Sequence, residues 1–501
     1  MLFLAKFGQI FLMRQVFLFF SIVLVFPCLA GAQVQPAEGS MLNYRLVGFS
    51  FPSAGKQPAK YIVEVADGYY NSEDSFSRKV SHKFQGSSNR MIGELPAFGM
   101  QYTWRWVTGT TRSKLYHFTT GKAPEVDTAS VRLRIITPAK KYKDGYVFLD
   151  GNKVLYDMKG RPVWYLPNVE GPIDYRKMRD LKMTKFGTIT FMDEEKQVYE
   201  IDYNGNILWK GPNTGAVSGR NSEGYHHDFT RLGNGHYMTL GYKDTMMPIF
   251  SGIIDDTISR SVEPTQFCTI IEYDEHGKLV WSWSTFDYFF KGDMKYRRKP
   301  GIRNIYDMHA NGFYFDEKEQ AVYLSYRDVS RVLKIRYPEG NILATYGHIF
   351  SPGTWEVNNP FFCHQHSPSK TAKGLLCIYN NGCDMGTPPI VELFQEAPSE
   401  PGGLKKMWDY VCNVDGMNET RPKVSWLGTG GNVNELPDGS LFVCMGSQYS
   451  KVFIVGMDKN ILWSAASEKW DPGTNTWGYL SQYRASVIVS RKEMERLIWG
   501  H

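Results

Sequence analysis

From about residue 130 onward the chain repeats one pattern: a short, mostly apolar run, a turn containing Gly or Asn, and a second short apolar run that usually carries Trp. Six copies can be aligned. They pair 146–149 with 157–164, 189–192 with 202–209, 237–240 with 274–281, 321–324 with 337–344, 375–378 with 407–408, and 441–444 with 457–463. In four of them an Asp opens the turn and Gly or Asn closes it, the residues that accept the positive φ of a hairpin turn. Each copy predicts a small antiparallel sheet that cannot bury both of its faces alone. Stacking such sheets in a ring buries them against neighbours and leaves only short edges. The pattern therefore predicts an all-β chain with a six-bladed β-propeller over 130–501. Uneven spacing of the tryptophans places inserted loops at 211–225, 242–267 and 284–305.

Ahead of the ring, 33–125 reads differently. Strands are predicted at 61–65, 101–106 and 115–120, a density that suits a small β-sandwich of the fibronectin type. The stretch 122–128 reads as a linker and 490–499 as a short terminal helix. At the amino terminus, Lys6 and Arg14 flank the apolar run Val16–Phe26, and Ala30-Gly31-Ala32 follows. That run is too short to span a bilayer and fits a secretory signal cleaved after Ala32. The signal predicts a periplasmic or secreted protein with no membrane span once it is removed. Six cysteines then remain, Cys268, Cys363, Cys377, Cys383, Cys412 and Cys444, enough for one or two disulfides whose pairing the spacing does not fix. With no CxxC, zinc-ribbon and thioredoxin-type chemistry are disfavoured. Asn418-Glu-Thr420 is a glycosylation sequon.

Composition narrows the function classes. The 501 residues are 42% hydrophobic and 22% charged, as in folded globular proteins. A net charge of +6, spread without a Lys/Arg-dense run, argues against a nucleic-acid partner. No Walker loop, GxSxG, HExxH or paired-carboxylate motif stands out.

Histidines supply the candidate chemistry. His227 and His366 each stand eight residues before the glycine that precedes a first strand pair, Gly235 and Gly374, and the sixth copy has Gly431 there. His309 occupies a similar place with looser spacing. One repeat position on successive blades maps to one ring around the axis, so His227, His309 and His366 should meet near the channel mouth. Arg327, at the end of its strand, could clamp an anion beside them. Asp228 could fix a ring tautomer or cap a turn.

The segments His226-His-Asp … Leu-x-Asn-Gly235, Asp307-x-His309-x-Asn311, Val322-Tyr-Leu-Ser-Tyr-Arg327 with Val332–Leu343, and Gln365-His366 … Gly374–Gly382, in this order, resemble the bacterial arylsulfate sulfotransferases. The resemblance covers about 135–470. It implies a secreted six-bladed propeller that moves a sulfuryl group from an aryl sulfate donor to a phenolic acceptor. It implies no cofactor, no metal and no PAPS, but a transient sulfohistidine. Carried over by motif, His366 matches the nucleophile, while His227, His309 and Arg327 match residues that bind sulfate and handle protons. His226, Tyr225 and Tyr326 are substrate-binding candidates, and Phe362 could join the tyrosines in stacking the aryl ring. Protonated imidazoles would help Arg327 stabilise the sulfuryl oxygens. Two departures stand out: Asp328 follows Arg327 where the family commonly has His, and His309 lies one residue closer to Asp307. Two other readings fit the same histidines, a metal-dependent or metal-free ester hydrolase and a non-catalytic binding module. The N-terminal unit could serve homodimerisation or carbohydrate contact.

Overall fold

The computed structural model describes residues 34–53, 60–174, 176–250, 258–288, 309–347, 361–382, 388–397, 402–417, 429–447 and 449–500. The signal-like segment, Asp307, Cys383 and the sequon lie outside the described residues.

The structure is nearly all-β. Six antiparallel sheets follow residue 130. Sheet I joins Tyr146–Leu149, Val154–Asp157 and Pro162–Tyr165 to Ala485–Ile488 from the far end of the chain. Sheets II to V are each four strands in chain order, beginning at Met178–Met183, His226–Arg231, Ala310–Asp316 and His366–Lys370. Sheet VI, beginning at Asn432–Glu435, is extended by Thr476–Tyr479 and by Val131–Thr137. The strand Ala485–Ile488 contacts sheet II on one side and sheet VI on the other, and each first strand from II to VI contacts that of the next sheet. The row of sheets thus returns on itself.

The repeated turns form for a local reason. Asp157, Asp202 and Asp274 each accept two backbone N–H groups of their own turn, and Gly160, Gly205 and Gly277 supply the positive φ. The tryptophan after the turn has a second task. Trp164 Nε1–H donates to the Tyr203 carbonyl (2.8 Å), Trp281 to Pro338 (2.8 Å), Trp408 to Met457 (2.9 Å) and Trp463 to Met158 (3.0 Å). Each acceptor lies in the turn of the following sheet, and Trp463 latches sheet VI onto sheet I. Trp209 instead stacks on Tyr237 of the next sheet at 3.8 Å. Between neighbouring sheets lie apolar clusters, such as Met192, Trp209, Phe229 and Ile271 between II and III, or Tyr156, Phe442, Ile454 and Trp463 between VI and I.

The predicted N-terminal strands are present at Tyr61–Asp67, Gln101–Thr108 and Tyr116–Thr120, in one sheet with Ser40–Leu42 and Val80–Gly86, beside the pair Leu46–Ser50 and Arg90–Glu94. Their core is continuous with that of sheets I and II: Phe49 and Trp104 belong to the same cluster as Trp164, Tyr203 and Leu497. The terminal helix, Arg491–Trp499, starts with a Ser490/Glu493 capping box and ends at Gly500 in the left-handed region.

Part of the expected loop 242–267 is not a loop. The strands Tyr237–Phe250 and Ile258–Tyr273 stay paired along it, Tyr242 opposite Cys268 and Phe250 opposite Ile258, and form a long arm of sheet III. Cys363 is disulfide-bonded, whereas Cys268, Cys377, Cys412 and Cys444 are buried thiols. No helix among the described residues is long and apolar enough to cross a membrane.

Candidate functional site

The site is built on irregularities in four first strands. Pairing slips between Arg179 and Lys182, His226 and Phe229, Ala310 and Gly312, and His366 and Ser369. Bulges of this kind re-aim side chains. Non-glycine residues with positive φ mark the same places: Asp180 (+59°), His227 (+62°), His309 (+56°) and Ser367 (+48°). Each such residue costs about 1–2 kcal/mol and persists only where its surroundings hold it. By register, Arg179, His226 and His366 stand opposite Met192, Leu240 and Tyr379, each the fourth residue of its second strand. His309 lies further out, beyond Ala310, which faces Tyr326, the sixth residue. Just ahead of the first strand of sheet VI, the ring of Tyr379 from sheet V takes the space a Cβ on Gly431 would need.

Three of the four histidine rings form a chain of contacts. His226 Nδ1 is 2.8 Å from His227 Nδ1, and His226 Nε2 is 3.1 Å from the Gly241 carbonyl. The centroids of His227 and His309 are 5.0 Å apart. Tyr483 bridges to the fourth, its ring 5.7 Å from His227 and 6.0 Å from His366. His366 is tightly framed. Its Nδ1 lies 2.6 Å from Asn381 Oδ1 and 3.1 Å from the His364 carbonyl, and its Nε2 accepts from Gly430 N–H at 3.1 Å. Both oxygens on the Nδ1 side can only accept. The proton therefore sits on Nδ1, and Nε2 carries the lone pair.

Burial keeps His226, His227 and His366 neutral. It pushes His226 down to about 3 and holds His227 and His366 well below the ordinary histidine range. Next after burial, His226, His309 and Arg179 act on His227. On His366, the Asn381 hydrogen bond works in the opposite direction, while Arg327, His309 and Arg484 reinforce burial. The expected help from protonated imidazoles therefore does not apply to these three rings, because burial disfavours their charged form. The positive charge comes from guanidinium groups instead. Arg327 donates its backbone N–H to the His309 carbonyl at 2.9 Å, and its Nη1 pairs with Asp328 at 3.1 Å. Among the described residues, Nε of Arg327, Arg179 and Arg484 is buried without a hydrogen-bond partner.

The structure does not bring the predicted aromatic residues to this cluster. Tyr225 is fully buried between sheets II and III, its hydroxyl donating to the Pro212 carbonyl and lying 3.3 Å from the hydroxyl of Tyr273. Tyr326 packs between sheets III and IV with its hydroxyl on Thr285, 2.8 Å away. Phe362 packs against Phe394 between sheets IV and V. His226 is 1% exposed, with Nε2 on the Gly241 carbonyl and Nδ1 on the neighbouring imidazole of His227.

Several site residues escaped sequence reasoning. Arg179 stands eight residues before Gly187, so the spacing that singles out His227 and His366 also reaches it in the second copy. Its guanidinium lies 4.5 Å from the centre of the Tyr483 ring and pairs with Glu194 at 3.0 Å, and Glu194 lies 3.6 Å from His227 Nδ1. Burial raises the Glu194 carboxyl. Arg484 ties the bulges together: Nη1 reaches Asp180 (3.3 Å) and Asp228 (3.0 Å), and Nη2 the Asn311 carbonyl (3.1 Å). Burial raises Asp228. Asp180 is equally buried, yet Lys182 and Arg484 hold it low. Asp228 also accepts from Phe313 N–H at 3.0 Å, so the residue after His227 fixes strand geometry rather than a ring tautomer. Among the described residues, no three His, Cys, Asp or Glu side chains are grouped to hold a metal ion.

Solved structures that align with the chain include a putative 6-phosphogluconolactonase from Bacteroides fragilis (12% identity, 72% of this chain and 99% of that one, TM-score 0.32). A periplasmic gluconolactonase from Pseudomonas aeruginosa also aligns (12% identity, 86% and 99%, TM-score 0.28). No curated protein matches significantly. The sequence model of the arylsulfotransferase (ASST) family matches residues 134–389, half of the chain and most of the sheets that carry these bulges, so the protein belongs to the arylsulfotransferase family and is a sulfotransferase.

Proposed function

We propose that the protein transfers a sulfuryl group from an aryl sulfate to a phenol, without PAPS, through a sulfohistidine on His366. The observation that carries this reading is the framing of His366, neutral, with its proton fixed on Nδ1 by Asn381 and a lone pair on Nε2. A neutral imidazole approaches an anionic sulfate ester more readily than a carboxylate would.

In the first half-reaction, Nε2 forms the bond to sulfur as the sulfur–oxygen bond to the aryl group breaks, and the phenolate departs with that electron pair. Gly430 N–H must release the lone pair as sulfur arrives. Arg327, with Arg179 and Arg484 close by, supplies fixed positive charge for the sulfuryl oxygens. A phenolate needs little help to leave, since its acid has a pKa of about 10. In the second half-reaction, His227 takes the proton of the acceptor phenol. The phenol oxygen then bonds to sulfur, and the sulfur–nitrogen pair returns to His366. Burial of these rings favours transfer over hydrolysis.

The cyclic contacts and the Trp463 latch support a six-bladed β-propeller as the scaffold, with 33–125 as an added β-sandwich. The amino-terminal pattern supports a periplasmic or secreted location. The test is aryl sulfate turnover with and without a phenol, in chelator, for the parent and His366→Ala. Chelator-resistant release that depends on acceptor and vanishes in the variant supports transfer. Release that ignores acceptor makes the protein a hydrolase.

A further inference from the structure

We propose that His226 is a positioning residue that selects which nitrogen of His227 is basic: a two-imidazole relay anchored on the Gly241 carbonyl holds the His227 proton on Nδ1 and presents Nε2 unprotonated to the acceptor. The inference rests on the role of His227 in the second half-reaction and deepens it.

The argument is one of proton counting. A carbonyl only accepts, so the 3.1 Å contact with Gly241 puts the proton of neutral His226 on Nε2. His226 Nδ1 is then a bare acceptor. The 2.8 Å contact between the two Nδ1 atoms needs one proton, and only His227 can supply it. His227 is thereby the Nδ1–H tautomer, with its base nitrogen on the far side of the ring. Nothing about His226 is free to rearrange: it is 1% exposed and stacks on Tyr242 at 4.0 Å with the planes 17° apart.

The relay orients but does not conduct. When the phenol proton reaches His227 Nε2, the imidazolium still donates through Nδ1 to His226. His226 cannot pass its own proton on, because Gly241 offers a carbonyl with no site to give one up. Countercharge comes from Glu194, 3.6 Å from His227 Nδ1, while His309 and Arg179 face the same ring and keep it from being protonated in advance. Such a base is bare at rest and stabilised only as it charges.

The test combines histidine-selective nitrogen NMR with transient kinetics on the full chain. Signals of His227 are assigned by their loss in His227→Gln. In the parent, His227 should carry its proton on Nδ1. In His226→Phe, which keeps the stack on Tyr242 but removes the acceptor, the proton should move to Nε2 or divide between the nitrogens. His226→Asn, whose amide oxygen takes the place of Nδ1, should keep the parent pattern. Kinetically, His226→Phe should leave the first release of phenol within about twofold of the parent, slow transfer to acceptor on the order of 10²-fold, and be rescued in large part by Asn. A parent His227 with its proton on Nε2, or equal slowing of both half-reactions in His226→Phe, overturns the relay. The tautomer pattern does not depend on a covalent intermediate: if it holds while no sulfohistidine forms, the relay stands and the reading of His366 falls.

Discussion

His366 Nδ1 and Asn381 Oδ1 are 2.6 Å apart, and the amide of Asn381 cannot turn around without loss, because its nitrogen donates to the Gly430 carbonyl at 3.1 Å. One side chain thus fixes the tautomer of His366 and tethers the backbone at its other nitrogen. Asn381→Ala should slow the first release of phenol by about 10- to 100-fold with KM little changed, since orientation rather than substrate affinity is lost. Asn381→Asp should act differently: a carboxylate at the same point favours the charged imidazole and moves the acid limb of the pH profile upward. Rapid-mixing measurements across pH separate the two.

The pH dependence of the parent follows from the depressed histidines. His366 and His227 are held well below the ordinary value by burial, so both stay neutral as the solution falls through pH 6.5, where an exposed imidazole would charge. The first half-reaction should therefore be flat from pH 8 to 6, with its acid limb below that. Stability has the matching sign. In the unfolded chain these imidazoles take up protons near pH 6.5 and in the folded chain they do not, so their contribution is full above that pH and is lost as pH falls below it. Urea denaturation at a series of pH values reads the slope.

Arg484 is the hub under the bulges of sheets II and III, and its removal should cost more than a surface pair would. Arg484→Met leaves two buried carboxylates, Asp180 and Asp228, with Lys182 alone. A loss of about 3–5 kcal/mol in chemical denaturation is expected. Adding Asp180→Asn and Asp228→Asn should return part of it, because the uncompensated charge, not the missing contact, is the larger penalty.

Trp463 latches the last sheet to the first through Met158. Trp463→Phe keeps most of the packing and leaves the Met158 carbonyl buried without its donor, so a loss of about 1–3 kcal/mol is expected. Limited proteolysis should find the new sensitivity at the junction of sheets VI and I rather than elsewhere in the ring.

What could be read from the chain was what is local. Asp–Gly turns, alternating strands and the recurrent Trp depend on residues a few places apart, and the six sheets follow from them. The eight-residue spacing from a turn glycine is also local, and it marks the bulge that carries a site residue. Applied only to histidines, it reached His227 and His366 and passed over Arg179. Tyr483 and Arg484 were out of reach for another reason: the strand after them returns to pair with Tyr146–Leu149, more than three hundred residues away, and no pattern near Tyr483 announces it. Direction was the third gap. His226 and His227 are neighbours, yet a positive φ at His227 turns one ring inward onto Gly241 and the other toward His309. The same blindness placed Tyr225 and Tyr326 at the mouth, when the pleat buries both between sheets.

The covalent step can be examined directly by quenching the protein during turnover of an aryl sulfate without acceptor and mapping the peptide that carries His366. The account predicts one added SO3 on that histidine, absent in His366→Asn, and discharged by a phenol with one equivalent of new aryl sulfate formed. Acceptor-dependent transfer at the parent rate in His366→Asn, with no SO3 on the His366 peptide of the parent, would contradict it.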